Sequence, residues 1–396
     1  MSPVPADLRG ASPRDLVEAL LVRNLLPFWS SPDLIDQHHG GFRLNHDRHG
    51  RWRGPAEKHM VTQARTTWFF AELAASSFAP DEHGAAALHG LTFLTDRLWD
   101  EEHPGFRDCV DYDGRPHPAA PKRLYMQAFG LFAITACARL TGEAALHERA
   151  REVAALIEER FHDPQHGGYF DLQRSAPASD RAPKSANANL HVLEALIPYN
   201  EVTGDPIARS RIQELAEILS ARVLVAPGAA VDHFDEQWQP VRGSTIPYGH
   251  NIEAAWLLLD AANAAHADRD AMLSAARARL DYALRFGFDH RRGGFYSYGP
   301  LKKAATGRTK VWWVQAEGLL CARMLADATA DERYEDAFRA TLRWIAEEQA
   351  DWRHGDWHRD ITRFRRFGLK AGPWQDPYHQ GRALLRVLQS LDAPRG

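Results

Sequence analysis

The sequence predicts an all-α protein: a closed double ring of twelve helices with short β-hairpins on one face. Three observations carry that expectation. Six times a Gly-rich or His-rich kink delivers an aromatic residue: His39-Gly40-Gly41-Phe42, Pro104-Gly105-Phe106, His166-Gly167-Gly168-Tyr169, Asp232-His233-Phe234, Arg292-Gly293-Gly294-Phe295 and His354-Gly355-Asp356-Trp357. From aromatic to aromatic the steps are 64, 63, 65, 61 and 62 residues, room for a turn and two helices each time. After each kink come a polar stretch, an apolar Ala-rich helix candidate, a stop signal and an amphipathic second helix.

The first helix runs from about Pro13 to Trp29. In the second unit the segment Leu124 to Leu140 has no wholly polar face, with Met126, Phe129, Leu131, Phe132 and Ile134 spread around it, so it reads as an inner helix. Thr141-Gly142-Glu143 stops it, as Thr203-Gly204-Asp205 stops its counterpart, each pairing a terminating Gly with an acidic residue that opens the next helix. Val153, Leu156, Ile157 and Phe161 then recur on one face while Glu158, Glu159 and Arg160 point away, the pattern of an outer helix. Gly293 to Tyr298 suits a short hairpin. The repeat continues without a linker, so residues 1–396 are expected to form one domain.

The 48 Lys plus Arg nearly balance the 52 Asp plus Glu, which argues against nucleic acid or an anionic membrane as partner. Cys109, Cys137 and Cys321 are too sparse for a disulfide framework and lack zinc-knuckle spacing. The N-terminus has no basic start followed by an apolar core, and no apolar run approaches the roughly 20 residues of a membrane span. A cytoplasmic monomer or homodimer acting on a small sugar is the expectation. The 20 His and 12 Trp fit it, since imidazole moves protons near neutral pH and indole stacks on sugar C–H faces.

About 22 residues past each aromatic, near the start of each inner helix, stands a residue suited to catalysis or to holding a sugar. These are Arg65, Gln127 with Tyr125 beside it, His191, Glu253 with His250, Glu317 with Trp313, and His379. Residues at one phase of a closed repeat converge on one mouth of the ring. His250 and Glu253 share a helix face, so the carboxylate is expected to orient the imidazole; His379 and Arg382 repeat that spacing. Arg65 lies in an apolar helix and must face a carboxylate or a bound anion. Trp374 falls in what reads as a loop leading to His379. No H-E-x-x-H pair, phosphate-cradling Gly-rich loop or G-x-S-x-G elbow occurs, so no metal and no cofactor is expected; His38-His39 and His46 with His49 read as a solvated turn.

At these residues the chain resembles the N-acylglucosamine 2-epimerase superfamily, and within it the cellobiose and mannose 2-epimerases. The matching stretches are Gln63-Ala64-Arg65, Asn187 to Ala195, Tyr248 to Leu258, Trp312 to Glu317 and Trp374 to Arg382, in order along almost the whole chain. The resemblance implies an (α/α)6 barrel and metal-free proton transfer at the carbon next to an aldose carbonyl. It places the family's arginine on Arg65, its active-site histidines on His191, His250 and His379, its helix-paired glutamate on Glu253, and its sugar-stacking tryptophans on Trp313 and Trp374. Tyr125, Asn189, Glu317 and Arg382 complete the candidate sugar contacts. Gln375-Asp376 stands where cellobiose epimerases typically carry Lys-Cys, a departure that bears on disaccharide preference.

Such a site would remove the C2 proton of an open-chain aldose while Arg65 neutralises charge developing on O1, and return a proton on the opposite face. His250 and His379, from different helices, are the natural pair of bases. An aldose–ketose isomerase would use the same enediolate and protonate C1. A glycoside hydrolase would need paired carboxylates flanking a glycosidic bond, and a non-catalytic sugar-binding protein would need no opposed bases.

Overall fold

Inner and outer helices alternate along the chain. The structure, a computed structural model, describes residues 4–393 except 79, 119, 174–182, 242–244 and 266–267. The outer helices are α1 (Pro13–Ala19, prolonged by a π-turn at Leu20–Leu25 and a last turn at Leu26–Trp29), α3 (Pro80–Phe93), α5 (Ala144–Phe161), α7 (Pro206–Glu217), α9 (Arg269–Phe286) and α11 (Glu332–Trp344). Between them run the inner helices α2 (Met60–Ala74), α4 (Leu124–Thr141), α6 (Ala186–Thr203), α8 (Tyr248–Ala265), α10 (Trp312–Thr329) and α12 (Tyr378–Asp392). Each inner helix packs on the next, and α12 returns to α1 and α2 to close the ring, where Arg14 Nε meets Asp392 Oδ1 at 2.7 Å. By length and composition α4 could cross a membrane, but 78% of it is buried among its neighbours. The outer α5 buries the expected stripe of Val153, Leu156, Ile157 and Phe161. Gly142 and Gly204 cap α4 and α6 with φ of +70° and +66°.

In four units the kink closes a small hairpin whose aromatic is gripped by an amide side chain. Gln63 accepts from Phe42 N (2.7 Å) and donates to Phe42 O (2.8 Å). Gln127 does the same for Phe106, Asn189 for Tyr169 and Gln315 for Phe295. The turn must come close for this to happen. A Cβ on Gly41 would lie 2.6 Å from Gln63 Oε1, and one on Gly294 equally near Gln315 Oε1, with φ of +67° and +78°. A buried Lys–Asp pair fastens the same turns and that of the last unit: Lys58 to Asp36, Lys122 to Asp100, Lys184 to Asp163, Lys310 to Asp289 and Lys370 to Asp351. Strand pairs then join successive units just ahead of the inner helices: Lys58–His59 with Cys109–Val110, Lys184–Ser185 with His233–Phe234, Thr245–Pro247 with Tyr298–Pro300, and Lys310–Val311 with Asp360–Ile361.

The fourth unit departs from the expected register. Its gripped residue is Ala230 and not Phe234: Asn251 accepts from Ala230 N at 2.8 Å and donates to Ala230 O at 3.1 Å. Phe234 lies one step further on, in the strand paired with Lys184–Ser185. No Lys–Asp pair is found at this turn among the described residues. Arg279 of α9 reaches Asn251 Oδ1 instead, at 3.1 Å, and burial alone lowers its pKa to about 10.

Candidate active site

An amide stands at one position of every inner helix, gripping the backbone of a turn in the first five and, as Gln380, bonding Asp356 Oδ1 and Asp376 O in the sixth. Two residues beyond this amide stand Arg65, Phe129, His191, Glu253, Glu317 and Arg382; one residue before it stand His250 and His379; two before it stand Tyr125, Asn187, Trp313 and Tyr378. These positions lie within one turn of each other, so they share one face at one end of the ring.

His250 and His379 therefore occupy the same repeat position two units apart. Trp313 lies between them, its ring 5.0 Å from that of His250 and 5.3 Å from that of His379. The indole crosses the start of α8 because position 249 is glycine, where a Cβ would come within 2.3 Å of it. His250 Nδ1 sits 2.9 Å from Asp232 Oδ2, and His379 Nδ1 sits 2.6 Å from Glu317 Oε1. In each ring a carboxylate holds Nδ1, which leaves Nε2 for proton transfer.

The two imidazoles nonetheless differ. Burial works to lower the His250 pKa, but Asp232 outweighs it, with Glu253 and Glu317 adding, and the net shift is upward. His379 is driven well below the ordinary imidazole value by burial, reinforced by Arg65 and Arg382. Near neutral pH this favours one charged and one neutral imidazole. His191 is also lowered by burial, against Glu253 and Glu194; its Nδ1 is 2.9 Å from Glu194 Oε2.

Arg65 is buried. It donates to Tyr125 Oη at 2.9 Å and to Asp376 Oδ2 at 3.4 Å, with its guanidinium over the rings of Phe129 (4.3 Å) and Tyr378 (4.6 Å). Asp376 in turn accepts from Tyr378 N at 3.1 Å. Trp374 is half-exposed in the loop ahead of α12, 6.1 Å from the Tyr125 ring, which itself stands 5.0 Å from His191.

Several expected roles change place. Glu253 does not pair with His250; its Oε1 accepts from Arg382 Nη2 at 2.9 Å, and the partner of His250 is Asp232, brought over from the fourth hairpin. Burial first, then the nearby Glu317, raises the Glu253 pKa, and its Oε2 is buried without a hydrogen-bond partner. Asn189, expected at the sugar, has its amide wholly engaged by Tyr169 and Ser185 backbone, and Gln127 is likewise a grip on its turn. Glu317 accepts from His379, from Arg382 Nη2 at 2.6 Å and from Trp256 Nε1 at 2.7 Å, so both of its carboxylate oxygens are engaged by side chains of the protein. Arg382 does not cap α12 or bond His379; it donates to Glu194, Glu253, Glu317 and Tyr378 Oη and ties the floor of the site together. His46 is buried with both ring nitrogens unpartnered, unlike a solvated-turn residue.

Sequence reasoning gave no role to Glu194, Asp232, Tyr378 or Asn187, and read Asp376 only as a departure and not as the partner of Arg65. Glu194 stands three residues from His191, the spacing argument applied to His250 and Glu253, so its signal was present. Asn187, at the repeat position of Tyr125 and Trp313, has a buried Oδ1 without a partner. The link from Asp232 to His250 spans 18 residues and a strand, which spacing does not reveal.

Among the described residues three groups have ligand atoms close enough to share a metal ion: a largely exposed set, Glu57 with Cys109 and His117, and two buried sets in the site, His191 with Glu194 and Glu253, and Glu253 with Glu317 and His379. The two buried sets converge on the guanidinium of Arg382, which already supplies positive charge to all three of their glutamates. Because that guanidinium holds them, Glu253 and Glu317 are also poorly placed to flank a glycosidic bond.

Comparison with known proteins gives a consistent picture. The profile of the N-acylglucosamine 2-epimerase (GlcNAc 2-epimerase) family matches residues 40–383. The chain is 26% identical over 396 residues to the cellobiose 2-epimerase of Ruminococcus albus, covering 93% of this chain and 96% of that protein. It is 29% identical over 343 residues to the D-mannose isomerase of Thermobifida fusca, covering 80% and 82%. The solved structure of the cellobiose 2-epimerase from Bacillus thermoamylovorans superposes with a TM-score of 0.88 at 25% identity, over 95% of this chain and 98% of that one.

Proposed function

We propose that the chain, which belongs to the N-acylglucosamine 2-epimerase family, is a carbohydrate 2-epimerase that interconverts an unphosphorylated aldose and its C2 epimer through proton transfer between two opposed histidines, His250 and His379. The pair is glucose with mannose, or the reducing-end glucose of a disaccharide such as cellobiose with its mannose-ended partner. One observation supports this reading above the others: two imidazoles at one repeat position flank a single indole, and their surroundings push their pKa values in opposite directions. A reaction that removes a proton from one face of a carbon and delivers one to the other needs such a pair.

In this proposal the open-chain sugar lies against Trp313 with C2 between the two Nε2 atoms. One neutral imidazole takes the C2 proton, and the electron pair moves into the C1–C2 enediolate. Arg65, aimed by Tyr125 and Asp376, carries the charge that develops on O1. The other imidazole, protonated at the start, delivers its proton to the opposite face of C2. Asp232 and Glu317 hold the two rings in the tautomer that leaves Nε2 facing the substrate. His191, held by Glu194, is placed to shuttle a hydroxyl proton as the pyranose ring opens and closes. Trp374 and Tyr125 form the wall against which the sugar stacks, and Asn187 offers its unpartnered Oδ1 to a hydroxyl.

Separate incubations with glucose, mannose and cellobiose, followed by product analysis, test the reading. The expected products are the C2 epimers. The D-mannose isomerase name of the Thermobifida fusca relative favours a second reading, in which the same enediolate is protonated at C1. Fructose as the dominant product from mannose would decide for it.

A further inference from the structure

Beyond the central site, a cavity of about 750 Å3 opens where the first hairpin meets the last unit of the ring. Arg48 and His49 line it from one side, and Arg353, His354, Arg365 and Arg366 from the other. This gathering of arginine stands out in a chain whose net charge is −4. Its own carboxylate, Asp351, is buried and already engaged by Lys370 Nζ at 3.2 Å and His354 Nδ1 at 3.0 Å. Arg366 is paired with Glu348. Arg353 and Arg365 are exposed, the guanidinium of Arg365 lying 5.6 Å from the centre of the Phe367 ring. His49 and His354 meet edge to face at 5.0 Å, with Arg48 Nε 3.1 Å from His49 Nε2. Trp352 adds an indole to the wall.

Several guanidinium groups around one cavity, with the carboxylates Asp351 and Glu348 already paired, beside imidazoles that can donate, match a dianion with three equivalent oxygens better than a single carboxylate. The volume falls within the range of small-molecule sites, and the indole offers an apolar surface for an organic body. We propose that this cavity binds the phosphate group of a small phosphorylated metabolite, held by Arg48, Arg353 and Arg365. It lies on the strap that leads to the central site. Lys370, which fastens Asp351, is followed by Ala371, whose carbonyl accepts from Asn45 N and His46 N at 3.0 Å each, and then by the loop that carries Trp374 and Asp376.

A second basic groove tests whether this is a site or only a field. It lies across the Asp360–Phe367 segment and contains Arg291, Arg292 and Arg308. Isothermal titration of the intact protein with glucose 6-phosphate, inorganic phosphate and glucose separates the possibilities. Saturable binding of glucose 6-phosphate, tighter than that of inorganic phosphate and absent for glucose at this cavity, is the expected result. The Arg353→Gln/Arg365→Gln double variant should weaken it at least about tenfold, as expected when two charge-assisted contacts are lost. Its epimerase activity without phosphate should be unchanged, because both side chains are exposed and remote from the imidazoles. Absence of saturable binding, equal affinity for inorganic phosphate and the ester, unchanged affinity in the double variant, or an equal loss in Arg291→Gln/Arg292→Gln would each overturn the proposal.

Discussion

His250 and His379 hold the same position in the repeat, yet the fold treats them differently. The side chain of His379 is 6% exposed and takes its carboxylate, Glu317, from the neighbouring inner helix, where the same carboxylate also serves Arg382 and Trp256. The side chain of His250 is 24% exposed and takes its carboxylate, Asp232, from a hairpin loop. It belongs to the unit whose turn lacks a Lys–Asp pair among the described residues and grips Ala230 in place of an aromatic. The difference shows that a repeat can place two identical bases symmetrically and still shift their pKa values in opposite directions. The helix register decides where the imidazoles stand, while neighbours outside the register decide what each carries.

The sharpest way to break this comparison is to remove one base at a time. His379→Ala and His250→Ala should each lower epimerisation by about 100- to 10,000-fold, the range of a lost general acid–base group. Each variant should still exchange the C2 hydrogen of one epimer with D2O, because the remaining imidazole faces that epimer; NMR with glucose and mannose supplied separately reads this out. Full epimerisation in either variant, or identical exchange losses from both sugars in both, would rule out the assignment of faces and turn attention to His191.

Next in size, Glu317→Gln should cost about 100-fold in kcat, because it removes the orienting partner of His379 and loosens Arg382 together. Glu253→Gln should follow the His379 half of the exchange pattern, since its carboxylate bonds Arg382 and not His250. An effect confined to the His250 half would mean that the geometry at Arg382 is not what matters.

The pH profile sharpens the contrast. Turnover requires one imidazole protonated and one neutral, so kcat/KM should fall on the acid side only well below the usual imidazole range, where His379 gains a proton. On the alkaline side it should fall above that range, where His250 loses its own. Asp232→Asn removes the main cause of the upward shift at His250. It should therefore move the alkaline limb to lower pH and leave the acid limb in place. Movement of the acid limb instead would exchange the roles of the two rings.

Smallest in its effect on chemistry, Gln127→Leu should leave kcat near the parent value while lowering stability by about 2–5 kcal/mol in urea unfolding, because the Phe106 N–H and C=O lose their buried partner. Chelation with EDTA should change neither quantity, given that Arg382 already neutralises the glutamates; loss of turnover restored by a divalent ion would contradict that view of the floor.

Much of this was legible in the residues. The kink spacing, the stop signals and the alternation of apolar and amphipathic segments foretold the ring, because each is a local or periodic property. His191, His250, His379, Arg65 and Trp313 stand at one end of the ring because they recur near one phase. What escaped was register at the scale of one or two residues. Gln127 and Asn189 were taken for chemistry because the amides that grip the turns lie two residues from the positions that carry it, and amide side chains suit either task. The fourth anchor was misplaced because Ala230 carries no aromatic signal and Phe234 stands four residues on. Asp232 and Arg382 found their partners only through the folded ring, by contacts that no spacing along one helix encodes.

The turn-gripping amide has one more consequence. It makes five of the six inner helices begin with a fixed post, with Gln380 at the same place in the sixth, followed two residues later by an open seat, and the occupants of the six seats range from Arg65 through Phe129 to Glu253. Architecture and reactivity are thus written at neighbouring but separate letters of the same repeat. A designer who wished to retarget this ring to another sugar could vary the seats and leave the posts untouched, searching a small alphabet of positions on a scaffold that does not have to be relearned each time.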